Sequence, residues 1–185
     1  MPCSAVARHC PALLWLFILF YGLDSMCFIV VDGEVRVIWS MEGSRMGCTM
    51  GSFGFDLVVH DVYTAVTTAY KHLKTKALTD DFNIATPPPD VTDEKEVEEM
   101  WTQLGGALVL LKEEARARAG LELNFSKCHI LIPAGIPDPP PGIIPDGVSL
   151  ERNGLRLSGT PIGTATCRLL RQVHEGTGAR HSAKA

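Results

Sequence analysis

Asp80 and Asp81 stand side by side in "LTDDFNIATPPP", residues 78–89, a short apolar stretch closed by three prolines. Adjacent carboxylates do one of two things. They serve a turn, because Asp tolerates tight backbone geometry and bonds to its own chain. Or they give hard oxygen ligands to a divalent cation such as Mg²⁺. The flanking runs "TKALT" and "FNIAT" are strand-like, so the pair belongs at the tip of a β-hairpin. Two carboxylates cost little in water there. Two other places could carry chemistry. A glycine-bearing stretch, "MEGSRMGCTMGSFGF" at residues 41–55, runs into a helical pattern, and such a loop lets backbone approach another molecule closely. Its spacing fits neither G-x-x-x-x-G-K-[ST] nor G-x-G-x-x-G, and read alone it is a connection. Lys127 lies in "LELNFSKCHILIP", residues 121–133, which reads as a strand; alone, a lysine there is a solvated side chain.

The elements that must position these residues follow from periodicity. "PALLWLFILFYG", residues 11–22, is apolar throughout and preceded by Arg8. At this length it cannot span a bilayer, and extending it to Val31 would bury Asp24. It reads as a buried helix packed on a sheet, with a signal or anchor over residues 11–31 as the alternative. "MCFIVVDGEVRVIWS", residues 26–40, is a hairpin turning at Asp32-Gly33. Phe53, Leu57, Val58, Val62, Val66, Ala69 and Leu73 recur at helical spacing. Residues 90–119 form a long helix, capped by Asp90 or Thr92 and stopped by Gly120. Its apolar stripe is Val97, Met100, Trp101, Leu104, Leu108, Leu111 and Ala115. The Gly105-Gly106 pair weakens its middle by roughly 1 kcal/mol per glycine. Residues 133–147 are a Pro/Gly loop, and "NGLRLSGTPIG", residues 153–163, is a last strand and turn.

Composition bounds the possibilities. The 185 residues suffice for one domain or slightly more, and 46% hydrophobic with 21% charged residues is ordinary for a folded chain. The net charge of −4 is not that of a dedicated nucleic-acid binder. Six cysteines at positions 3, 10, 27, 48, 128 and 167 form no C-x-x-C pair and suit a reducing compartment. A structural zinc site has no His pair at the necessary spacing.

Taken in order, these parts resemble the palm of a reverse transcriptase of the retroelement, non-LTR-like kind. The family's "EGxRQGxPLGxxxF" loop is similar to "EGSRMGCTMGSFGF" at 42–55, and its "YADD" hairpin to "LTDD" at 78–81. Its "GLxLNxxKC" motif is similar to "GLELNFSKC" at 120–128, and its "GxxxLGxPIG" strand to "GLRLSGTPIG" at 154–163. "CPALLWLFILFYG" resembles the helix just upstream of the family's glycine loop. The resemblance implies an α+β fold over residues 8–165: a polymerase palm-like antiparallel sheet packed on helices. The remainder, 166–185, is basic, small and weakly patterned, and is expected to be a disordered tail. The resemblance also implies RNA-directed DNA synthesis by two-metal nucleotidyl transfer. Asp80 and Asp81 would bind Mg²⁺ or Mn²⁺. Arg45, Met46 and Gly47 would lie beside the incoming nucleotide and template. Lys127 would neutralise or protonate the pyrophosphate. The partners would be an RNA or DNA template–primer, a deoxynucleoside triphosphate (dNTP) and the remaining polymerase segments. The compartment would be intracellular, nuclear or cytoplasmic, and not a membrane.

Two of the departures from the pattern matter most: Met46 stands for the usual Gln, and Leu78 for the usual Tyr. The family's upstream metal aspartate, its fingers and its thumb are also not found. The metal is therefore expected only if that Asp is supplied, and the chain by itself is expected to be inactive. The reading from another class is a small membrane-anchored or secreted non-catalytic protein that uses residues 11–31.

Overall fold

Asp32 and Gly33 both take positive φ, 52° and 81°, and so close a two-residue turn of the kind that matches strand twist. They join β1 (Ser25–Val31) to β2 (Glu34–Ser40), the hairpin expected from the sequence. The protein is seen here as a computed structural model, which describes residues 2–40, 49–157 and 160–163. Within them it is a mixed α and β chain with four α-helices and small two-stranded sheets. The glycine loop at 41–48 and the tail from residue 164 lie outside the described residues. The chain divides into two compact units, Met1–Ala85 with Leu110–Glu122, and Thr86–Val109 with Leu123–Ala185.

The first unit is built on α3 (Thr49–Ala69), which begins earlier than the apolar period suggests and takes in Gly51 and Gly54. Its buried stripe is Val59, Val62 and Val66. Against it lie Ala5 and Val6 of α1 (Pro2–His9), which the sequence reading did not resolve as a helix. A π-helical turn at Ala115–Ala119 also packs on α3. The apolar segment does form helix, a 3-10 turn at Pro11–Leu13 leading into α2 (Leu14–Tyr21). Its expected burial is corrected. Only Phe17 is buried, 5.7 Å from Tyr21 and 6.1 Å from Phe53 between ring centroids. Trp15, Leu19 and Phe20 face solvent, because a helix apolar on every side presents more surface than its described neighbours cover. No helix of the described residues is long and apolar enough to cross a membrane.

After α3, Leu73 tucks under the turn and β3 (Lys74–Leu78) pairs antiparallel with β4 (Asp81–Ala85). Pro87–Pro89 prevent further strand pairing.

The second unit takes its core from α4 (Glu94–Glu114). Val97, Trp101, Leu104, Ala107 and Leu108 are buried, together with Ile132 and Ile136. The helix starts at Asp93, whose Oδ1 accepts the Lys95 N–H at 2.9 Å. That corrects the expected cap: Asp90 instead accepts from the Thr92 N–H and hydroxyl, at 2.9 and 2.7 Å, in a turn just before the helix. These two donors hold the Asp90 carboxyl below its usual range, the backbone bond more than the hydroxyl. Gly120, with φ of 65°, ends the run.

The strand expected over 121–133 shrinks to β5 (His129–Leu131). Asn124 is the cause. Its Oδ1 accepts from the Ser126 N–H at 3.0 Å and from the Ser126 hydroxyl at 2.7 Å, which winds Phe125–Lys127 into a 3-10 turn. β5 then pairs in parallel with β6 (Ser149–Glu151), and β7 (Gly154–Leu157) with β8 (Thr160–Gly163) antiparallel. The single antiparallel sheet expected is thus four separate ladders among the described residues, one of them parallel. Arg152 holds the Pro-rich loop by donating to the Ile136 carbonyl at 3.0 Å and to Asp138 at 2.6 Å.

Gly105 is not merely a weak helix residue. A Cβ there would run into the carbonyl oxygen of Ile143, so glycine is what lets the loop close on the helix. Ala normally stabilises a helix interior by about 1 kcal/mol over Gly. Here Gly105→Ala is expected to lower stability by about 1–3 kcal/mol in chemical denaturation, the clash outweighing the gain.

Candidate acidic site at the β3–β4 tip

Leu78 and Asp81 are the last pair of the β3–β4 ladder, so Thr79 and Asp80 form the turn. The tip expected at Asp80-Asp81 therefore sits one residue earlier, and Asp81 opens β4. Both carboxylates belong to exposed residues. Strand alternation groups Asp81 with Lys74 and Lys76 on one face of the hairpin. Phe82 lies on the other face, toward α3.

The turn is strained. Thr79 has φ of 52°, a region that a β-branched residue seldom enters and that a glycine would occupy freely. Tyr63 of α3 holds it. Its hydroxyl donates to the Thr79 carbonyl at 3.2 Å, and its ring stacks on Phe82 with centroids 4.3 Å apart and planes 2° from parallel. Burial pushes the Tyr63 phenol above its ordinary 10.0, and the charges of Asp80, Asp56 and Asp81 push it further. This tyrosine is the residue that reading the sequence missed. It lies within the helical run of α3, and only its aromatic character could have marked it.

Lys127, expected on a strand, is exposed in the 3-10 turn of the second unit, and no carboxylate among the described residues pairs with it. Arg45, Met46 and Gly47 lie outside the described residues. Asp80 and Asp81 offer the hard oxygens that Mg²⁺ prefers. A two-metal centre also needs a bridging carboxylate. Among the described residues no three His, Cys, Asp or Glu side chains come together to hold an ion. The described residues thus fit part of such a site and not the whole.

A second polar cluster lies in the same unit, where Arg8 and His9 end α1. Asp61 of α3 accepts from Arg8, and His9 Nε2 sits 2.9 Å from its other oxygen. The His9 ring meets His60 edge-on, centroids 5.3 Å apart. A cleft of about 270 Å³ beside them is lined by Arg8, Asp61 and Arg118, and Arg118 is itself paired with Glu114. With its cations matched by internal anions, the cluster ties α1 to α3.

No family model matches the chain, and neither does any curated protein or solved structure.

Because Tyr63 is raised, the stability it carries is fully present below its ordinary value and is lost as pH climbs through the higher folded value. Absorbance titration at alkaline pH should show Tyr63 ionising above 10.0, a component that Tyr63→Phe removes. Asp80→Asn with Asp81→Asn should move that midpoint down. Tyr63→Phe should also lower stability by about 1 kcal/mol through the lost hydroxyl bond. Asp61→Asn should lose about 1–2 kcal/mol in the same denaturation assay and free α1 to exchange its amides.

Proposed function

We propose that this chain is part of the palm of a retroelement reverse transcriptase, an RNA-directed DNA polymerase, and that it is inactive by itself. One observation carries the reading: a tight hairpin holds two aspartates at an exposed tip, pinned from the preceding helix by Tyr63. The order of motifs around it supports the same reading, from "EGSRMGCTMGSFGF" through "LTDD" and "GLELNFSKC" to "GLRLSGTPIG".

In this role Asp80 and Asp81 present negative oxygens at a fixed place on the surface. Divalent ions, when bound, supply the chemistry of nucleotidyl transfer: they acidify the primer hydroxyl and offset charge at the phosphates. Two carboxylates on one turn leave the bridging position to another part of the polymerase. Lys127 would meet the triphosphate as a point charge, and Lys74 and Lys76 would face the nucleic-acid backbone. Arg45, Met46 and Gly47 would border template and nucleotide. The partners are a template–primer, dNTP and the other polymerase segments. An intracellular setting, nuclear or cytoplasmic, suits the free thiols of Cys3, Cys10, Cys27 and Cys128.

The test is to read the genomic DNA on both sides of the coding sequence in all frames. The expected result is adjoining sequence for a strand bearing an aspartate, placed ahead of the helix at 14–21. Flanks without polymerase-like coding sequence in any frame overturn the assignment. Inactivity is checked separately by primer extension on an RNA template with Mg²⁺ or Mn²⁺. The purified chain should extend nothing. Metal-dependent extension that Asp80→Ala abolishes would disprove that part.

A further inference from the structure

The β1–β2 register pairs Met26 with Trp39, Phe28 with Val37 and Val30 with Val35. Cross-strand partners share a face, and alternate residues along a strand share it too. All six side chains therefore stand on one side of the hairpin, and none of them is charged; the Trp39 indole N–H is the one polar group among them. Each is exposed, from 47% for Val37 to 71% for Val30. The charged residues of β2, Glu34 and Arg36, belong to the opposite face, across from Val31 and Ile29. Among the described residues β1 and β2 pack chiefly on each other. A lone two-stranded hairpin is marginal in water, and a continuous apolar face this size is unusual on a monomer.

From these observations, and independently of the polymerase reading, we infer that the face is covered by a second copy of this chain, stacked antiparallel on the first. Area, charge and the position of the acidic residues select that occupant. The exposed area is on the order of 600 Å² per copy, so two copies bury roughly 1,200 Å², above the ~1,000 Å² that a specific interface needs. An apolar face carries no charge that would oppose itself under two-fold symmetry, so the patch is complementary to its own copy. And the acidic residues gather at one end, Asp32 in the turn and Glu34 beside it. They disfavour an anionic lipid surface. They also reject parallel stacking, which would set the two acidic turns together. Antiparallel stacking puts each turn over the open end of the other hairpin. The Phe28–Val37 pair, the middle of the three, then lies on the two-fold axis and forms the centre of the interface.

Sedimentation of the full chain across a wide concentration range should show a reversible monomer–dimer equilibrium. Val37→Glu should weaken it roughly a hundredfold, and so should Phe28→Glu. Ile29→Glu, which faces Arg36 on the other side, should change it little. Wild-type hydrogen exchange gives a readout that needs no variant: amides of 25–40 should gain protection as concentration rises. Several results overturn the inference. These are a monomer at every concentration, open-ended aggregates, or equal disruption by Ile29→Glu. Protection of 25–40 independent of concentration would assign the cover to the same chain. Protection gained only with anionic vesicles would assign it to lipid.

Discussion

The apolar stripe of the long helix at Glu94–Glu114 is the constraint on which the core of the second unit depends, through Val97, Trp101, Leu104 and Leu108. Each fully buried side chain of this size is worth about 1.5–3 kcal/mol, more than capping or helix propensity contributes at any one position. The boundaries of the helix are therefore set by local chemistry, Asp93 at the start and Gly120 at the stop. Its burial is set by the period of the stripe. Gly105 sits within the buried surface because the loop backbone at Ile143 must come closer than a Cβ allows.

In the first unit α3 distributes two kinds of restraint from neighbouring positions. Asp61 reaches α1 through Arg8 and His9, and Tyr63, two residues on, reaches the β3–β4 tip. Positions two apart on a helix do not face each other, so the two ties leave α3 in different directions. One is an ion pair between helices. The other is a hydrogen bond plus an aromatic stack, which keeps its strength in salt where the ion pair is screened.

Features of short sequence range were legible. Asp32-Gly33 announced its hairpin, the stripe of the long helix lay where its period put it, and the strands around Asp80-Asp81 formed. Features decided by competition or by distance were not. Asn124 diverts residues 124–127 from a strand to a 3-10 turn through its own side chain, and alternation at Leu121, Leu123 and Phe125 masked that. The parallel pairing of His129–Leu131 with Ser149–Glu151 closes over a long loop and leaves no local pattern. The apolar run of α2 was read as buried because composition says what a segment would gain from cover, not how much its neighbours supply. Of the acidic site, the two aspartates were legible and Tyr63 was not, since its partners Thr79 and Phe82 come together only in the folded unit.

Backbone strain separates the acidic tip from an ordinary turn. Reversing the chain between β3 and β4 needs only two residues, and glycine at position 79 would do it without strain. Threonine there holds a left-handed φ that opposes its own side chain, and the strain persists because Tyr63 fixes the carbonyl from outside. A turn that must keep two carboxylates at a defined place gains rigidity. The raised Tyr63 phenol reflects the same proximity: burial favours its neutral form, and the nearby aspartates oppose its ionisation. If a cation binds there, as the proposed function has it, it would offset the charge of Asp80 and Asp81 and so weaken the second effect, while leaving the burial unchanged.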